Sequence, residues 1–165
     1  MKRIAKFEKV SLGQFTEDFG ENAEIVYEEI KLPRRATSGS AGYDLFSTLD
    51  FTLAPGEEIK IPTGIRARID DGWVLKIYPR SGLGFKFRLQ LNNTVGIIDS
   101  DYYNSSNEGH IFVKLTNDSK SGKTVTLNRG DAFAQGIFLE YGITEDDEAD
   151  GIRDGGFGST SKRDA

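Results

Sequence analysis

In this 165-residue chain, 21 Lys and Arg stand against 26 Asp and Glu, giving a net charge of −5 and a sequence pI near 5.0. This argues against a protein that coats nucleic acid, which would carry a basic stripe, and the lack of cysteine rules out disulfide scaffolds, zinc fingers and thiol enzymes. The single histidine, His110, rules out a His-cluster metal site, and no run reaches the roughly 18 apolar residues a bilayer span needs; residues 1–10 lack a signal-peptide core, so a cytoplasmic single domain without a membrane partner is expected.

Ser11, with Gln14 three residues on, has the form of a capping box, and Leu12, Phe15 and Phe19 recur at helical spacing. Gly13 and Gly20 limit that helix to a short one. From Ala23 onward the pattern predicts short strands. Residues 57–69 alternate in part (Ile59, Ile61, Ile65, Ala67, Ile69) between turn signals at Pro55-Gly56 and Asp70-Asp71-Gly72. Residues 73–78 set Trp73, Leu75 and Ile77 against Val74, Lys76 and Tyr78. Residues 110–115 line Ile111, Val113 and Leu115 along one face, and 132–141 is a largely apolar run suited to a buried strand. His110 reads as structural or solvent-facing. Many short strands with 19 glycines among the turns imply an all-β sandwich, barrel or jelly roll over residues 1–150. Residues 145–150 are acidic. Residues 151–165 are rich in Gly, Ser, Lys and Arg around a lone aromatic, Phe157, and are expected to form a flexible arm.

Five segments carry groups suited to chemistry. Pro79-Arg80-Ser81-Gly82-Leu83-Gly84 combines glycines, a hydroxyl and a guanidinium, the ingredients of an anion cradle, although a surface turn has the same look. Gly155-Gly156-Phe157-Gly158-Ser159-Thr160, flanked by Arg153 and Lys162, repeats that chemistry and adds an aromatic plate on which a base can stack. The two together describe a nucleotide with a polyphosphate arm. Gly96-Ile97-Ile98-Asp99-Ser100-Asp101-Tyr102 sets a carboxylate after an apolar pair, either a water-activating base or a turn former at a strand end. Asp99 and Asp101 would share a face if the strand continues. Asp44 follows a glycine turn at Ser40-Ala41-Gly42. Gln135 is the one amide within the apolar 132–139 run, satisfied internally or turned to a polar ligand. Asn92-Asn93 can read a base edge or merely shape a loop, and Arg129-Gly130-Asp131 reads as a hairpin turn.

In this order the segments resemble the five motifs of the homotrimeric dUTP pyrophosphatases (dUTPases). The matching stretches are Ala41-Gly42-Tyr43-Asp44-Leu45, Pro79-Arg80-Ser81-Gly82-Leu83, Gly96 through Tyr102, Arg129-Gly130-Asp131-Ala132-Phe133-Ala134-Gln135, and Arg153 through Thr160. They span residues 41 to 160, about three-quarters of the chain. The resemblance implies a jelly-roll-like β-barrel subunit with a short N-terminal helix. It also implies a homotrimer with shared sites, in which the arm 151–165 closes over a neighbouring subunit's site. The implied reaction converts dUTP and water to dUMP and pyrophosphate with Mg2+ on the triphosphate, limiting uracil incorporation into DNA.

By the same resemblance, Asp99 is the general base that aligns water on the α-phosphorus, and Arg80 orients this acid. Ser81 and Gly82 hold phosphate oxygens. Tyr102 packs beneath the deoxyribose and leaves no room for a 2′-hydroxyl. The hairpin from Asn93 to Ile98, including Gly96 and Ile97, reads uracil through main-chain groups, and Phe112 counts among the substrate-binding residues. Asp44 and Gln135 face the metal–phosphate region through water. Phe157 stacks on uracil, with Arg153, Gly158, Ser159 and Thr160 closing over the phosphates.

The chain departs from the family pattern in four places. Arg153 to Phe157 is one residue shorter than usual, and Ser161 stands where glycine is common. Residues 103–108 replace a shorter turn after Tyr102, and residues 1–31 form an N-terminal extension similar to those of phage and prophage dUTPases. Two other functions fit the same scaffold. A dCTP deaminase resembles it in fold, but no glutamate in these motifs matches that enzyme's acid. A regulatory protein would instead bind a partner protein through residues 1–31 and 103–108.

Overall fold

The computed structural model describes residues 1–153. In chain order, strand β1 (Ala5–Lys9) precedes helices α1 (Leu12–Phe19) and α2 (Ala23–Glu29). Strands β2 (Arg34–Arg35), β3 (Tyr43–Phe46), β4 (Phe51–Leu53), β5 (Glu58–Pro62), β6 (Ile65–Ile69) and β7 (Trp73–Pro79) follow. Helix α3 (Ser81–Phe87) leads to β8 (Leu89–Leu91), β9 (Gly96–Ile98), a 3-10 helix (Ser100–Asn104), β10 (Phe112–Asn117), β11 (Val125–Leu127) and β12 (Ala132–Glu140). Among the described residues no helix is long and apolar enough to cross a membrane.

The strands form small antiparallel sheets wrapped around one core, a jelly-roll-like barrel. The orders are β2-β3-β12-β7-β9, β5-β10-β8, β1-β6 and β11-β4. The predicted alternation accounts for the inward faces: Ile61, Leu75, Ile77, Val113, Leu115 and Phe133 are buried in a shared cluster. Each such side chain contributes about 1.5–3 kcal/mol on burial. The continuous 57–69 run divides into two strands at Thr63-Gly64. Gly64 adopts φ +71°, and the strands on either side of it join different sheets.

The N-terminus holds more structure than the sequence pattern suggests. Helix α1 forms where expected, and Ser11 Oγ accepts from the Gln14 N–H at 3.1 Å. The box is not reciprocal, because the Gln14 amide donates to Asp18 and the Ser11 N–H donates to Glu108. Residues 23–29, expected as strand, are helical. Their Ala23 and Val26 pack with Val10 and Phe15 into a second small core, which outweighs the strand preference of Ile25 and Val26. His110 is fully buried rather than solvent-facing.

Candidate active site

In the five-stranded sheet, β12 lies between β3 and β7. Its register shifts between Ala132 and Ala134, where Phe133 turns into the core with no exposed surface. The shift sets Gln135 opposite Asp44 on β3 and opposite Tyr78 on β7, one residue from Pro79. Three polar groups far apart in sequence therefore meet. Arg80 Nε pairs with Asp44 Oδ1 at 3.1 Å, and the Gln135 amide donates to the Pro79 carbonyl at 3.0 Å. Gln135 Oε1 reaches back over Gly42, where a Cβ would stand only 2.6 Å from it, so glycine leaves room for the amide. Ser81 and Gly82 open α3, with Arg80 at its N-cap position. The sequence pattern pointed to a turn there, not a helix.

A second constellation surrounds a cavity of about 590 Å³ between β9, β10 and the β8–β9 connection. The main chain sits tightly on the core where that connection enters β9: a Cβ at Gly96 would meet Ile77 at 3.1 Å. Thr94 takes φ +69°, an uncommon conformation for a β-branched residue, and its N–H donates to the Leu91 carbonyl at 2.9 Å. Asn93, Gly96, Ile97 and Ile98 line one side of the cavity and Phe112 another. Beyond the expected set, Lys60 and Lys114 also border it. These two face each other across β5 and β10, a pairing that emerges only once strand register is known.

Asp99 and Tyr102 share the cavity for a local reason. Asp99 is the N-cap residue of the 3-10 helix, and its side chain makes no capping bond. Side chains three apart eclipse in a 3-10 helix, so Tyr102 follows Asp99 on the same side. The strand does not continue, yet Asp99 and Asp101 still converge, on Arg153: Nη2 lies 2.5 Å from Asp99 and Nε 2.8 Å from Asp101. The Tyr102 ring is buried, its hydroxyl donates to the His110 carbonyl at 2.7 Å, and Asn107 donates to that hydroxyl at 2.8 Å. Burial pushes the Tyr102 phenol above its ordinary value, which keeps it a neutral donor.

Within one chain these are two separate clusters. Arg80 pairs with Asp44 rather than Asp99, and none of Asp44, Arg80, Ser81 or Gln135 lines the Asp99 cavity. Phe157, Gly158, Ser159 and Thr160 lie outside the described residues. Among the described residues no group of three or more His, Asp or Glu is placed to hold a metal ion.

A dUTPase family model matches residues 28–161. The chain is 42% identical over 134 residues to the deoxyuridine 5′-triphosphate nucleotidohydrolase of Lactococcus lactis, covering 79% of this chain and 88% of that protein. It is 41% identical over 142 residues to the protein of the same name from Tolumonas auensis, covering 81% and 89%. The crystal structure of dUTPase from Streptococcus mutans superposes with a TM-score of 0.65 at 34% identity, covering 84% of this chain and 98% of that one. The dUTPase of phage phi11 of S. aureus shares the fold at 22% identity, with a TM-score of 0.65 over 91% of this chain and 98% of its own. A family model that spans most of the chain, together with close identity over nearly the whole length of the bacterial relatives, establishes that this chain belongs to the dUTPase family.

Proposed function

We propose that the chain hydrolyses dUTP to dUMP and pyrophosphate, with Asp99 as the base that activates water. One observation carries this reading. Asp99, free of any capping duty, faces the same cavity as the buried Tyr102, beside a hairpin whose main chain is pinned to the core. Uracil docks against the main chain between Asn93 and Ile98, and the deoxyribose rests on the Tyr102 ring. A 2′-hydroxyl there would press on a ring that two hydrogen bonds hold in position. The Asp99 carboxylate accepts a proton from a water as that water attacks the α-phosphorus, and pyrophosphate leaves on the opposite side. Arg153 pairs with both Asp99 and Asp101 of its own chain. Its guanidinium binds phosphate oxygens in the same forked manner, so an arm that carries it to a neighbouring protomer's nucleotide leaves Asp99 free for water.

The cluster of Asp44, Arg80 and Gln135 is the other half-site and supplies the phosphate end. Arg80, Ser81 and Gly82 bind phosphate oxygens, and the two half-sites complete one another between copies of the chain in a homotrimer. The segment 151–165 then closes the site of a neighbouring protomer, with Phe157 on the base. The donor set suits Mg2+: one carboxylate, Asp44, and one amide oxygen, Gln135, adjoin across β3 and β12, and Mg2+ takes most of its ligands from water and substrate phosphate. Asp44 and Gln135 would hold it through water. When bound, the ion neutralises charge on the triphosphate and orients it for displacement.

Incubation with dUTP and with dCTP, following pyrophosphate and ammonia separately, tests this reading. Pyrophosphate from dUTP and no ammonia from dCTP is the expected result. Ammonia from dCTP without pyrophosphate from dUTP would replace the reading with a deaminase.

A further inference from the structure

Two of the four departures from the family pattern, the N-terminal extension and the long segment after Tyr102, are bound to each other in the structure. Strand β1 lies along β6, from Ala5 opposite Ile69 to Lys9 opposite Ile65, and α1 and α2 close over Phe15. From this unit three residues reach the segment 103–110. Glu8 accepts from the Tyr103 hydroxyl at 2.5 Å, under the guanidinium of Arg66, which covers the Tyr103 ring at 4.3 Å. Ser11 donates twice to Glu108, from its N–H at 2.7 Å and its hydroxyl at 2.6 Å. Asp18 meets His110 Nδ1 at 2.5 Å, while His110 Nε2 accepts from the Gly64 N–H at 2.8 Å.

The clamped segment is the one that holds Tyr102. Its Asn107 and the His110 carbonyl are the two partners of the Tyr102 hydroxyl. The backbone folds so closely there that a Cβ at Gly109 would lie 2.7 Å from the Tyr102 carbonyl oxygen and 2.7 Å from Tyr103 Cα. Glu108 itself sits at φ +57°, a conformation that non-glycine residues adopt only when their surroundings hold them in it. The two hydrogen bonds it accepts from Ser11 supply that hold.

We propose that residues 5–29 are a positioning element for sugar recognition. By tying Tyr103, Glu108 and His110 in place, they fix the Tyr102 ring and so set the preference for a 2′-deoxyribose over a ribose. This rests on the dUTPase reading, in which Tyr102 floors the sugar. Tyr103 and Glu108 act through Tyr102 and are positioning residues. A unit that merely covers the barrel would contribute stability without altering which sugar is accepted.

The test measures kcat/KM for dUTP and for UTP, together with the melting temperature, in the full chain and its variants. Tyr103→Phe keeps the ring beneath Arg66 and removes only the bond to Glu8; Glu108→Ala removes both bonds to Ser11. Each is expected to lower the dUTP-to-UTP ratio by about five- to thirtyfold, chiefly through a higher KM for dUTP and a better reaction with UTP. Glu108→Gln, which keeps an acceptor oxygen for Ser11, restores most of the ratio. Val125→Ala, which loosens the barrel core outside residues 5–29 and away from these links, lowers the melting temperature and leaves the ratio unchanged. An unchanged ratio in Tyr103→Phe and Glu108→Ala, whatever their melting temperatures, overturns the proposal. If the unaltered chain fails to hydrolyse dUTP, the reading beneath the proposal fails first, and that outcome is visible before any variant is made.

Discussion

Asp99 is useful because of what it does not do. An aspartate at the N-cap of a helical turn ordinarily spends its carboxylate on backbone N–H groups, but here the carboxylate turns to the cavity and to Arg153. Asp99→Asn keeps the shape and removes the proton acceptor. Turnover should fall roughly 10²–10⁴-fold while KM for dUTP stays within a few-fold, as measured by steady-state pyrophosphate release; near-normal turnover would remove Asp99 from the chemistry. Gly42 acts at the other half-site by leaving space. Its backbone does not need φ above zero, so Gly42→Ala introduces a methyl against Gln135 Oε1 and little else. The expected result is up to about a hundredfold loss of kcat/KM, the scale of a displacement near 1 Å in a catalytic group, with the melting temperature unchanged. Of these two residues, Asp99 was legible in the sequence, since a carboxylate after an apolar pair stands out. Gly42's contact was not, because it depends on the register of β12 against β3.

At the level of elements, what could be read depended on how local the deciding forces are. Helix α1 was visible because Ser11, Leu12, Phe15 and Phe19 signal it within a few residues. Helix α2 was not. Its N-cap, Asn22, sits at φ +61° with no side-chain capping bond, and Ile25, Val26 and Tyr27 suit a strand equally well. Packing on Phe15, nearly aligned with Phe19 at 4.9 Å, decides the matter. The short strand β1 went unread for the same reason, since pairing with β6 stabilises it more than its own pattern does.

His110 joins this helical unit to the barrel and makes the joint sensitive to acid. The neutral ring satisfies both neighbours, donating from Nδ1 to Asp18 and accepting at Nε2 from Gly64; a protonated ring could not accept. Burial lowers the His110 pKa from its ordinary 6.5, outweighing the opposing pull of Asp18. A histidine with a depressed folded pKa contributes its stability above the unfolded value, and loses it as pH falls below about 6.5 because the unfolded chain takes up the proton first. The prediction is a melting temperature that drops between pH 7 and pH 5 and a flatter profile in His110→Gln. An equally steep profile in that variant would assign the acid sensitivity to other groups.

Across the whole molecule, the groups read from the sequence as one site fall into two places on one chain. Asp44, Arg80 and Gln135 gather on the five-stranded sheet, while Asp99 and Tyr102 line the cavity beside β9. The motifs and their order could be read from the chain alone. Their division between two surfaces could not, because it is set by how the sheets wrap. Phe85 on α3 is 95% exposed and Ile97 beside the cavity 51%, apolar surface that an assembly of copies would cover.

Two inactive chains, Arg80→Ala and Asp99→Asn, coexpressed with different affinity tags and purified through both, give the most direct test of this account. If each site draws Arg80 from one chain and Asp99 from a neighbour, about a third of the sites in the doubly purified trimers regain both residues, and dUTP hydrolysis returns to a corresponding fraction. Mixed assemblies that form and yet remain as inactive as either parent would show that a single chain supplies both groups, which contradicts the shared site.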